Sequence, residues 1–127
     1  MRITRRFFGA GLAASLGIGQ DILTVSAPKA DLRIPYGGDP NQFADLRVAK
    51  GRGPHPVVVF IHGGYWLAAY DLSHTGHLCA AVTAAGLATW NLEYRRVGQA
   101  GGGYPGTMDD VRAGAQHLTK IAKDLCA

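Results

Sequence analysis

The sequence predicts an α/β fold with parallel strands joined by a helix, and three observations carry that reading. Val57 to Ile61 is an unbroken run of β-branched and aromatic residues, too short for a helix and apolar on both faces, as befits a strand at the centre of a covered sheet. The next strand, Leu87 to Tyr94, follows after a helix-length segment, and strand, helix, strand in that order makes a right-handed crossover. Met108, Val111, Ala115, Leu118, Ala122 and Leu125 recur at alternating steps of three and four, the stripe of a helix packed on a sheet.

Taken in order, the chain opens with Arg2, Arg5 and Arg6 ahead of the apolar, Gly- and Ala-rich run Phe7 to Ile18. That run is shorter than the ~20 residues needed to span a bilayer, and with its basic flank it has the layout of an export signal. Thr4-Arg5-Arg6-Phe7-Phe8 is similar to the twin-arginine address of bacteria. Residues 1–30 are therefore expected to be signal and linker, and the protein to be exported to the periplasm or beyond, with a basic start on a cytoplasmic protein as the alternative. No stable membrane anchor is expected. Gly9-Ala10-Gly11-Leu12-Ala13-Ala14 matches a dinucleotide fingerprint in letters only, since no strand precedes it.

Residues 31–127 form the domain. Asp31 to Tyr36 and Asp45 to Ala49 alternate as short strands around the turn formers Gly37-Gly38-Asp39-Pro40-Asn41, which predicts an antiparallel opening pair. Lys50 to Pro56 is a polar loop leading into the Val57 strand. After Trp66, Asp71 or Ser73 can cap a helix running to about Ala85, with Leu78, Val82 and Ala85 on its packed face and Gly86 ending it. Thr107 and Asp110 read as a capping-box-like start to the last helix, and Lys120 and Lys123 suit its carboxyl end.

Composition removes several functions. Apolar residues make up 47% of the chain and charged ones 17%, a globular balance. Of the net charge of +4, much sits in the first six residues; from residue 28 onward ten basic residues face eight acidic ones. That is no nucleic-acid footprint, which requires basic residues clustered on one face. Cys79 and Cys126 are too few for a disulfide framework or a zinc pattern and read as small apolar helix residues. Gly101 to Thr107 has the spacing of a phosphate-binding loop but lacks its lysine, so nucleotide binding is rejected.

The chemistry concentrates where the Val57 strand stops. His62-Gly63-Gly64-Tyr65-Trp66 follows at once, and its two glycines let the backbone turn sharply and present bare N–H groups. The carboxyl end of a buried strand is where open α/β sheets place ligands. With Trp90-Asn91-Leu92-Glu93-Tyr94-Arg95 and Pro105 to Val111 downstream, this stretch resembles the amino-terminal part of an α/β-hydrolase of the esterase, lipase and arylformamidase branch. The resemblance covers residues 31–127. It implies that the backbone N–H groups of Gly63, Gly64 and Tyr65 form an oxyanion hole, that His62 supports the loop, and that Tyr65 and Trp66 line a pocket for a small ester or amide substrate. It implies no metal and no organic cofactor.

One departure is large: no G-x-S-x-G occurs in the chain. The family also needs about twice this length. The expectation is therefore an incomplete domain that ends before the nucleophile elbow, carries no catalytic triad and is inactive alone. In the family the nucleophile-bearing strand lies beside the strand equivalent to Val57–Ile61, so self-association through that exposed edge is expected. Within the chain, Ser73 and His74 read as a cap and its neighbour rather than a nucleophile and base. His74 and His77 lack a third metal ligand, Asp109 and Asp110 suit the positive end of a helix, and His117 falls off the apolar stripe and should be exposed. The alternative from another class is a noncatalytic module that keeps the His62-Gly63-Gly64 crevice as a ligand pocket.

Overall fold

The computed structural model describes residues 24–125; the expected signal lies outside them. Four strands make one mixed sheet: β1 (Leu32–Pro35), β2 (Phe43–Arg47), β3 (Val57–Ile61) and β4 (Ala88–Leu92), in the spatial order β1-β2-β4-β3. β1 and β2 are antiparallel with Leu32 opposite Leu46, as the alternating pattern predicted. β2 and β4 are antiparallel, and β3 and β4 run parallel with Val59 opposite Trp90. Between β3 and β4 lie a one-turn 3-10 helix, Leu72–Thr75, and helix α1 (Gly76–Ala84). Helix α2 (Gly106–Leu125) closes the described chain.

The core sits on β2 and β4. Ala44, Leu46, Trp90 and Leu92 are buried, with Ile34, Tyr36, Val111, Leu118 and Ile121 packed against them. Burying each large apolar side chain contributes about 1.5–3 kcal/mol. Helix α2 comes close to β4 because position 114 is glycine: a Cβ there would lie 2.3 Å from Leu92 Cδ1. The same approach lets Trp90 Nε1 donate to the Gly114 carbonyl at 3.1 Å.

Several expectations need correction. β3 is the edge strand of the described sheet, in line with the exposed edge expected above, but it is not covered on both faces: Val57, Val59 and Ile61 on one face are 36%, 38% and 51% exposed. α1 rests on β4 and β2, and α2 on β4, so the helices cover the neighbours of β3 more than β3 itself. Leu78 and Met108 are exposed, because the buried line of α1 runs through Gly76 and Cys79. On α2 the side chains packed on the core are Val111, Leu118 and Ile121.

The caps also differ in detail. Asp71 is the cap of the first turn, accepting from Ser73 N at 2.9 Å and Ser73 Oγ at 2.5 Å. The hydroxyl bond holds the Asp71 carboxyl below its ordinary range. Thr107 and Asp110 make no capping box. Thr107 Oγ1 donates to the Arg95 carbonyl at 2.6 Å and accepts from Gly103 N at 2.9 Å. Asp110 is buried and tied to Arg95 and Gln42. His117 is half-buried, its ring stacked 6.5 Å from Trp90, where the helix turns it back over the sheet.

Candidate functional site

The carboxyl end of β3 leads directly into a loop from His62 to Leu72 that is held by residues of the segment 91–97. His62 is 3% exposed. Its Nε2 meets Glu93 Oε1 at 2.9 Å and its Nδ1 meets the Gly63 carbonyl at 2.9 Å. Both partners are acceptors toward a ring N–H. Tyr94 stacks on that ring, centroids 4.4 Å apart, and its hydroxyl donates to the His62 carbonyl. The loop's first residue is thus fixed through side chain, ring face and backbone together.

Further along, Val97 N donates to Trp66 O at 2.7 Å and Ala68 N donates to Val97 O at 3.1 Å. Arg96, 4% exposed, donates through Nη1 to the Tyr70 carbonyl. At the loop's far end Leu72 N donates to Glu93 Oε2 at 3.0 Å, and Asn91 Nδ2 donates to Leu72 O at 3.2 Å. Glu93 therefore ties both ends of the loop to one carboxylate, which also accepts from Tyr94 N at 3.0 Å and has Arg96 Nε at 3.5 Å. A buried carboxylate is tolerated only when so surrounded by donors and positive charge.

Beneath this clamp lies a second polar layer. Tyr36 donates its hydroxyl to the Glu93 carbonyl at 2.6 Å, and burial raises its phenol above the ordinary range. Arg95 N and Nε donate to Asp110 Oδ2 at 3.0 and 2.8 Å, while Gln42 Nε2 donates to Oδ1 at 2.8 Å. Burial alone would push the Asp110 carboxyl up, but the bonds from Arg95 and Gln42 outweigh it and hold the carboxyl low. Asp110 thereby fastens the start of α2 to the strand end that carries Glu93.

The clamped loop itself is under backbone strain. Gly64 has φ +117°, and Tyr65 and Trp66 follow with φ +56° and +62°. Two consecutive bulky residues in the left-handed region cost about 1–2 kcal/mol each. Such strain persists only where surrounding contacts enforce it, and it concentrates at functional sites. Among the described residues none of the N–H groups of Gly63, Gly64 and Tyr65 donates to another backbone group. Tyr65 is 87% exposed, and Trp66, half turned to solvent, leans on Tyr94 at 5.6 Å.

The structure brings together His62, Gly63, Gly64, Tyr65 and Trp66, all expected from sequence, and places them on one loop. It adds Glu93, Tyr94 and Arg96, to which the sequence reading gave no role. The signal was a buried-strand run, Trp90 to Tyr94, carrying Asn91 and Glu93 at alternate positions: polar groups in such a place must find partners. Ser73 is committed to Asp71 and makes no hydrogen bond to a histidine. His74 is exposed, with its ring edge-on to His62 at 5.6 Å, while His77 Nε2 is 2.8 Å from the Val25 carbonyl. No group of three His, Cys, Asp or Glu residues that could hold a metal occurs among the described residues. Among the same residues no helix is long and apolar enough to cross a membrane.

The BD-FAE family model, an α/β-hydrolase-like esterase domain, matches residues 45–126. That range holds β3, the clamped loop, β4 and all of α2. A solved structure titled bacterial heroin esterase superposes with a TM-score of 0.63 at 24% sequence identity, covering 90% of this chain and 37% of that one. This likeness shows the shared fold, and the chain spans little more than a third of that esterase's length. No curated protein matches the sequence.

Proposed function

The chain belongs to the BD-FAE family, and on that premise we propose that it is the oxyanion-loop portion of a serine esterase acting on ester or amide carbonyls. The observation that carries this reading is the loop after β3, with N–H groups of Gly63, Gly64 and Tyr65 left open while Glu93, Tyr94 and Arg96 fix the backbone around them. Acyl transfer develops negative charge on the carbonyl oxygen, and rigid donors aimed at that charge lower the barrier without reorganising at the moment of reaction. His62 acts here as a positioning residue, since both its nitrogens are engaged beneath the loop. Tyr65 and Trp66 supply aromatic surface for the substrate beside those donors. No cofactor enters the scheme.

The nucleophile, its base and its acid belong to sequence outside this chain. Ser26 lies in the linker and Ser73 is engaged as described, and no serine stands in a G-x-S-x-G. A fluorophosphonate probe tests this assignment, because it labels only an activated serine. The chain alone is expected to remain unlabelled and to leave p-nitrophenyl acetate uncleaved. A protein in which this sequence continues into a G-x-S-x-G segment should be labelled on that serine. Serine-dependent labelling of the isolated chain would overturn the assignment. If the longer protein also fails to label yet binds ester analogues at the loop, the noncatalytic reading replaces the esterase one.

Export is part of the same proposal and rests on Arg5-Arg6 ahead of a short apolar run. Replacing both arginines by lysine keeps the charge but removes the pair that the receptor reads. A reporter fused to the lysine variant is expected to stay in the cytoplasm while the native fusion reaches the periplasm. Equal periplasmic accumulation of the two would refute the twin-arginine address.

A further inference from the structure

On the side of the sheet where the 24–30 segment crosses lies a buried cation, Arg47, that forms no ion pair among the described residues. Arg47, the last residue of β2, is 6% exposed, and its Nη2 donates to the Pro28 carbonyl at 2.7 Å. Its Nε and Nη1 are buried without a hydrogen-bond partner. A guanidinium cannot shed its charge by deprotonating, so two unmet donors on it are more costly than on a neutral group. Its strand neighbour Asp45 gives no relief, because both Asp45 oxygens are taken by Arg33 at 2.7 and 2.9 Å.

The surroundings of Arg47 are those of an anion receptor. It lines a cleft of about 700 Å³ together with Lys29, Arg33, Ser73, His74 and His77. It stands at the amino end of α1: its Nη2 lies 3.7 Å from the point where a side chain on Gly76 would begin. The helix's cap residue, Thr75, makes no capping bond with its side chain. A helix amino terminus carries partial positive charge, although the Gly76 N–H itself is spent on the Ser73 carbonyl. The buried guanidinium and Lys29 thus line one volume with the start of α1, and among the described lining residues the carboxylate, Asp45, is already paired with Arg33.

We infer that this cleft is a binding site for a small oxyanion, a carboxylate or phosphate group, with Arg47 as its anchor and Lys29 at its rim. The ligand replaces the Pro28 carbonyl on Nη2 and brings enough oxygen atoms to occupy a second guanidinium N–H as well. The cleft borders the far end of the loop after β3 at Leu72, while its anchor, Arg47, stands at the end of β2.

Calorimetric titration of the full chain with sodium phosphate, and separately with sodium acetate, at ionic strength held constant with sodium chloride, tests the inference. The expected result is saturable binding of one anion per chain with at least one of the two salts. Hydrogen bonds to a charged group are each worth about 1.5–3 kcal/mol, so Arg47→Gln should weaken binding about tenfold or more. Lys29→Ala, an exposed change that leaves the fold alone, should weaken it by about threefold, a rim charge being worth under 1 kcal/mol. Preference for phosphate over acetate identifies a phosphoryl ligand, and the reverse a carboxylate. Absence of saturable binding with either salt would mean that water fills the site and would overturn the inference. So would affinity unchanged in Lys29→Ala, the deciding variant should Arg47→Gln fail to fold.

Discussion

Gly64→Val in the catalytically complete protein is expected to lower kcat about 10²-fold or more while moving KM much less, since loss of one oxyanion donor alone removes about 3 kcal/mol of transition-state stabilisation. Two independent features of the loop make this position intolerant. Its φ of +117° is closed to side-chain-bearing residues, and a Cβ would stand 2.3 Å from Tyr70 Cβ. Tyr70 cannot easily retreat, because its carbonyl is held by Arg96 and its N–H donates to Leu67 O at 3.1 Å. The substitution must therefore shift the backbone that carries the neighbouring N–H groups. Gly63→Ala is the informative comparison, since a Cβ there meets nothing within 4 Å and stability should hold within about 0.5 kcal/mol. Steady-state rates on small p-nitrophenyl esters give the measurement, and unchanged turnover in Gly64→Val would remove the loop from the mechanism.

The turn after β3 was legible in the sequence because its signals are local. A glycine pair stopping a β-branched run declares a turn and an open backbone without reference to anything distant. The clamp beneath it was not legible, because it is built from contacts between positions some thirty residues apart. Nothing in the letters of His62 says that its partner is Glu93, or that Tyr94 covers its ring. The same limit explains the corrections on the helices. A three-and-four stripe names a face but not the neighbour awaiting it, so Leu78 and Met108 were placed inside while Gly76 and Gly114, which permit close packing, carry no hydrophobic signal. Asp110 showed the converse: its position in a helix's first turn offered an explanation sufficient in itself, and that concealed its bonds to Arg95 and Gln42.

This chain made alone is expected to elute as dimers or larger species rather than as a monomer, with β3 as the point of contact. The outer row of β3 backbone groups is unpaired in the described sheet, while its inner row is spent on β4. Edge strands in stable monomers are protected by charge, proline, bulges or a covering element. Val57–Ile61 holds only apolar residues without proline, and α1 and α2 lie over β4 and β2 instead. Each large apolar side chain left in water forgoes about 2 kcal/mol, and a total stability of about 5–15 kcal/mol does not withstand many such losses. Pairing with another copy removes both defects together, by completing the ladder and covering Val57, Val59 and Ile61. Val59→Lys places a charge in the middle of that edge without touching the buried core, so it should shift the chain toward monomer in size-exclusion chromatography. A native chain that elutes as a monodisperse monomer with a sharp thermal transition would refute the exposed-edge argument. An oligomer that Val59→Lys leaves intact would place the contact on another surface.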